Sequence, residues 1–222
     1  MTVLHLVDEG EAADLAAFLS RLLHYDRSAA VRLQAVGTAL AIFGRPPAFE
    51  VLTIRAVRLA KPYEDGLDAT LDVTVSAGEL LESVQETAAT CAVPGAVTGP
   101  PWAGVLPPRG NWRPEPGLPP LAALRALVTA GVAEFRSRTA ELAPERRTRA
   151  ELDRIGRDIW SRTVAGTALP VRAVHAAQSL GFLRGEHGLG LVSSGAWLRL
   201  RTPYGSVAVR RAGTGALGIS VA

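Results

Sequence analysis

The sequence predicts an α+β protein, with an N-terminal antiparallel sheet with helices and a C-terminal helical domain that carries a β-hairpin in winged-helix-like order. Three observations predict it. Runs of β-branched and aliphatic residues broken by turn residues fill 31–75, and apolar residues recur at three- and four-residue spacing after 120. Between them, nine of the 27 residues from Pro94 to Pro120 are proline and five are glycine. Proline has no backbone donor and pushes its predecessor out of the helical region, so neither helix nor central strand persists there. The stretch therefore reads as a Pro/Trp-rich connector (94–120) between an acidic α+β domain (1–93) and a basic helical domain (121–222). As such a boundary, it is where limited proteolysis is expected first.

The elements follow in order. Val3 to Val7 reads as a short strand, and Asp8 followed by Glu11 is a capping-box pair that opens a helix running to about His24. Leu15, Phe18, Leu19, Leu22 and Leu23 mark its buried face. Val31–Val36, Thr38–Phe43 and Phe49–Leu59 read as antiparallel strands, separated by Gly37 and by Gly44-Arg45-Pro46-Pro47. After a polar turn, Tyr63 to Asp68, the residues Leu71, Val73 and Val75 alternate with polar ones as in a half-wet strand, and Ser76 with Glu79 opens another helix. This order of strand, helix, four strands and helix over roughly residues 1–90 is similar in topology to half a domain of the ring-shaped sliding clamps of DNA replication. The resemblance is one of element order, without a clamp motif.

Beyond the connector, Leu121, Leu124, Leu127, Val128, Val132, Phe135 and Leu142 predict a long amphipathic helix that starts after Pro119-Pro120 and ends at Pro144. Pro144 also begins a second helix, which carries Leu152, Ile155, Ile159 and Thr163 inward and closes at Gly166. Its outer pairs are Asp153–Arg157, Arg154–Asp158 and Asp158–Arg162. A third runs from Pro170 to Leu180, with Gly181 in the left-handed cap position. Trp197 to Arg211 reads as a hairpin around Thr202-Pro203-Tyr204-Gly205, with Leu198, Leu200, Val207 and Val209 inward and Trp197, Arg199, Arg201 and Arg210 outward. Leu217–Val221 suggests a last strand.

Charge divides the chain. Residues 1–95 carry 7 Arg/Lys against 13 Asp/Glu, and residues 96–222 carry 17 against 8, so the halves are −6 and +9. Lys61 is the sole lysine, a skew that a GC-rich genome produces, but codon bias does not move acids between halves. The single cysteine, Cys91, excludes an intrachain disulfide and a multi-cysteine metal site. The start of the chain lacks a basic n-region, and no apolar window reaches 18 residues, so a cytoplasmic protein without a membrane partner is expected.

Enzymatic chemistry finds little support. His5, His24, His175 and His187 lack metal-ligand spacing, and neither a phosphate loop nor a Gly-x-Ser-x-Gly elbow is present. Gly213 to Gly218 fits the dinucleotide pattern by letter, yet only four residues follow where a helix must receive the pyrophosphate. The acid pairs Asp68/Asp72 and Glu79/Glu82 read as solvated carboxylates. No cofactor is expected. Trp102 and Trp112 are candidates either for pinning the connector or for binding a partner. The sharpest functional reading is nucleic-acid binding by a winged-helix-like unit. In it Arg172, His175 and Ser179 line one face of the third helix, and Arg199, Arg201 and Arg210 of the hairpin contact phosphates of duplex DNA. The alternative is a scaffold binding itself or another protein through its oppositely charged halves.

Overall fold

The computed structural model describes residues 2–60, 71–186 and 188–211. The polar turn at 63–68, His187, the glycine motif at 213–218 and the strand suggested at 217–221 lie outside the described residues. The chain opens with β1 (Val3–His5) and α1 (Glu9–Tyr25), where Asp8 accepts the Glu11 amide at 2.7 Å as the cap. The strands β2 (Ala30–Val36), β3 (Ala39–Gly44) and β4 (Leu52–Arg58) form an antiparallel meander, and β5 (Leu71–Ser76) returns to pair with β2. Ser76 caps α2 (Ala77–Glu82). Next, β6 (Val84–Gln85) and β7 (Thr90–Ala92) join β1 in a three-stranded sheet.

The C-terminal part contributes β8 (Arg113–Pro114), α3 (Leu121–Ala140), α4 (Arg149–Trp160), α5 (Val171–Ser179), β9 (Gly190–Ser194), β10 (Trp197–Thr202) and β11 (Gly205–Arg210). Its strands extend the N-terminal sheet. The order is β5-β2-β3-β4-β11-β10-β9-β8, with Leu52, Thr53 and Ile54 of β4 opposite Ala208, Val207 and Ser206 of β11.

The two-residue period then sorts every strand into two faces. On the front, Val31, Leu33, Leu40, Ile42 and Val57 share a continuous core with Leu15, Phe18, Leu19 and Leu22 of α1. The same core continues through Leu198, Leu200, Val207 and Val209, the predicted inward set, to Val171, Val174 and Ala177 of α5. A stacked pair of rings, Phe18 and Phe182 at 5.8 Å, ties α1 to the turn after α5. Beneath α1 the same face holds a buried charge, Arg55, bonded to Glu11 at 2.5 Å and to the Tyr204 carbonyl at 3.0 Å.

The back of the sheet is crossed by the proline-rich stretch, which acts as a strap. Val97 donates to the Thr74 carbonyl beside β5, and the Ala103 carbonyl accepts from Arg32 of β2. Trp102 and Leu106 pack on Phe43, Leu52, Ile54 and Ala208 of β3, β4 and β11. The Gly110 carbonyl accepts from Ser194 of β9 at 3.2 Å, and β8 then pairs with β9 at the far edge. A segment running across strands cannot enter their hydrogen-bond ladder, so each of its amide donors would need a separate partner. Proline removes those donors, which explains the composition.

Several local details depart from the sequence reading. Phe49 lies in a 3-10 turn (Pro47–Phe49) rather than in β4, because Pro46 and Pro47 bring no ladder donors and Glu50 reverses the chain at φ +51°. Pro144 starts another short 3-10 turn, and Thr148 caps α4. That helix ends at Trp160, so Thr163 is not on its inner stripe but exposed beyond its end, and Gly166 sits at φ +77° within a turn closed by the Thr163–Pro170 bridge. Of the three predicted outer pairs, only Asp158–Arg162 forms. Asp158 also binds Arg138 of α3 at 2.5 Å, Arg162 binds Glu134 of α3 at 2.6 Å, and Arg154 turns back to Glu151. The Arg138–Asp158 and Arg162–Glu134 pairs thus clamp α3 to α4 and its C-terminal end, while Arg149–Asp153 and Arg154–Glu151 compensate charge along α4. Gly181, at φ +76°, follows α5 in the left-handed position expected of it.

Candidate nucleic-acid interface

The structure places the predicted site residues on two sides of the sheet. The helix α5 belongs to the front layer. Its core face is buried against β11, and its other side meets α3 and α4, leaving Arg172, His175 and Ser179 half-buried. His175 stacks on Trp160 at 4.1 Å and meets the edge of Phe49 at 5.0 Å, and burial holds its imidazole below the usual range. The hairpin arginines project from the back. Arg199 and Arg201 alternate on β10 with the buried Leu198 and Leu200, and Arg210 lies opposite Trp197 on β11. One nucleic-acid groove therefore cannot take α5 and the three arginines together. The hairpin turn is also tied down: Arg184 stacks over the Tyr204 ring at 4.0 Å, and Arg55 holds the Tyr204 carbonyl.

What the back face does bring together is arginine and tryptophan. The Arg199 guanidinium lies 5.7 Å from the Trp112 ring and donates to the Ser206 hydroxyl at 2.8 Å; burial first, then Arg201, lowers its pKa. Arg210 lies 5.9 Å from the Trp197 ring. Both distances fall within cation–π range. Trp112 is fixed by its indole donating to the Pro108 carbonyl at 3.0 Å, and Trp102 is seated on the back-face apolar cluster. Next to Trp102 and Trp197 opens a groove of about 370 Å³, with Leu52 and Ala208 at its floor and Arg45 and Arg210 at its rim. Trp197 and Arg45 are the members that sequence reading missed. Alternation gave the outward direction of Trp197, but Arg45 reaches the groove from the β3–β4 connection, and only tertiary folding shows that.

The arginines of the basic half divide into those paired to carboxylates and those that are not. Arg138, Arg154 and Arg162 are paired to carboxylates on α3 and α4, Arg211 to Glu115, and Arg184 to Asp14. Among the described residues, Arg199, Arg201 and Arg210 form no ion pair with a carboxylate, and neither do Arg109, Arg113, Arg125, Arg136, Arg147, Arg157 and Arg172; the three hairpin arginines share one face of two paired strands. The described residues include no group of three His, Cys, Asp or Glu side chains that could hold a metal, and no helix long and apolar enough to cross a membrane.

Residues 1–104 match a family model described as Domain of unknown function (DUF8010), and residues 107–214 match one described as Domain of unknown function (DUF8185). No curated protein matches the chain. The two matched segments meet inside the strap, at the groove between the back-face tryptophans.

Proposed function

We propose that this chain is a non-enzymatic nucleic-acid-binding module that holds DNA against the back face of β10 and β11. The observation that carries the reading is the set Arg199, Arg201 and Arg210, three guanidinium groups on one face of adjacent strands without carboxylate partners among the described residues. Guanidinium groups left uncompensated on one surface attract a polyanion and release its counterions, a gain that does not depend on sequence. Arg172, His175 and Ser179 have no part in this interface, because they lie in the front layer.

Binding of a labelled oligonucleotide, followed by anisotropy from low to high salt, tests the proposal. Replacing the three back-face arginines with Ala is expected to flatten the slope of log affinity against log salt by about 0.7–0.9 per lost phosphate contact. Arg172→Ala is expected to leave that slope unchanged. If the slope responds to Arg172 and not to the back-face arginines, the interface lies on the helical layer instead. Without any binding at low salt the reading falls. Salt-sensitive dimers in gel filtration would then favour self-association through the oppositely charged halves.

A further inference from the structure

We infer that the nucleic acid taken by this face is single-stranded, with one unpaired base lodged in the groove between Trp102 and Trp197. The inference rests on the nucleic-acid reading above and adds the form of the ligand. Its first support is the shape of the surface. A β-ribbon enters the major groove of a duplex when it protrudes, and here β10 and β11 are inner strands of an eight-stranded sheet whose connecting turn is tied down by Arg55 and Arg184. A flexible strand can lie along such a face where a stiff duplex touches only its high points.

The second support is the groove itself. Its volume of about 370 Å³ falls in the range of small-ligand sites, and it has an apolar floor between aromatic walls. Arg45 and Arg210 stand at the rim, while Glu50 lies between this groove and a second cavity of about 750 Å³ that also borders Trp102 and Arg45. A phosphate beside Glu50 would be repelled. A neutral base with exocyclic amino donors suits a carboxylate, and its own phosphates would reach the two rim arginines. The pairing of Trp197 with Arg210 and of Trp112 with Arg199 repeats an aromatic ring beside a cation. That repeat is the arrangement by which single-stranded nucleic acid is held, each base on a ring and the backbone on positive charge.

The test compares a mixed-sequence single strand of twelve nucleotides with the duplex of the same sequence, at one low salt concentration. Affinity is read by anisotropy and by quenching of tryptophan fluorescence. The single strand is expected to bind at least about tenfold more tightly and to quench the fluorescence. Trp197→Ala is expected to weaken single-strand binding about five- to hundredfold, the range for one stacked base, while leaving duplex binding nearly unchanged. Because Trp197 also packs on the back-face cluster, Arg45→Ala serves as the second variant. Arg45 is exposed, so its loss is expected to preserve the melting temperature and reduce the preference for single strand severalfold. Equal affinity for both forms, or a preference that neither variant alters, overturns the inference while leaving the arginine face standing. Failure of both nucleic acids to bind overturns the proposed function itself.

Discussion

Arg55 shows how one residue couples the two halves of the chain. It stands on the front face of β4 among aliphatic neighbours, 6% exposed, where an unpaired charge would be costly. Glu11 binds it directly, Asp14 lies at 3.5 Å, and Asp14 in turn binds Arg184 from beyond α5. Glu11→Ala removes the principal partner and strands the guanidinium, so it is expected to cost about 3 kcal/mol in denaturant unfolding. Arg149→Ala, which breaks an exposed i,i+4 pair, is expected to cost less than about 0.5 kcal/mol. His175 gives a pH prediction. Its folded pKa is depressed, so the unfolded chain binds the proton first, and the stability present above the ordinary histidine pKa is lost as pH falls through the folded value. The melting temperature is therefore expected to drop between pH 7 and pH 5 by more in the native protein than in His175→Phe, which keeps the ring contacts without the proton. Cys91 has the opposite sign. Burial raises its thiol to about 11, so its contribution is lost above pH 9, and alkylation of the folded protein is expected to be slow.

Among the elements, the strap depends most on tertiary structure. Its exit is fixed where Gly117, at φ +86°, touches the turn after α4: a Cβ on Gly117 would stand 2.2 Å from the Gly166 carbonyl oxygen. Gly117→Ala combines left-handed strain with that backbone collision and is expected to cost about 2 kcal/mol or more, read by urea unfolding. A control, Gly110→Ala, meets nothing within 4 Å and is expected to be nearly silent. Elements whose information is local were legible in the sequence. The α1 stripe, the Ser76 and Asp8 caps, and the alternation of β10 and β11 depend on near neighbours, and all are found where the pattern puts them. The strap's composition was legible too, but its path was not. Proline content says that a segment avoids the ladder, and it does not say over which surface the segment lies. The candidate site divides the same way: the outward direction of Arg199, Arg201 and Arg210 followed from alternation, whereas the separation of α5 from them depends on which face of the sheet the helices cover. The short strands β6 to β9 had no signal of their own, since their pairing comes from distant partners.

At the scale of the whole molecule, two family matches meet between residues 104 and 107, yet the hydrogen-bonded sheet passes from β4 into β11 without a break. The core behaves the same way, with α1, α5 and the Phe18–Phe182 contact in one apolar cluster. The opposite charges of the halves are partly spent inside the chain, where Asp14 meets Arg184. This arrangement predicts that both halves unfold together. Calorimetry is expected to give a single transition whose calorimetric and van't Hoff enthalpies agree. A protease cut at the exposed strap residues Arg109-Gly110 is expected to leave both pieces in one gel-filtration peak, because the β4–β11 pairing and the shared core remain after the backbone is broken. Two resolved transitions, or separation of the pieces without denaturant, would mean that each half keeps a core of its own and that the sheet contact between them is weak. The same cut also tests the site. Cleavage at 109–110 separates Trp102 from Trp112 along the strap but leaves Trp102 seated on Phe43 and Leu52, so the groove and its fluorescence response to single-stranded DNA are expected to survive it.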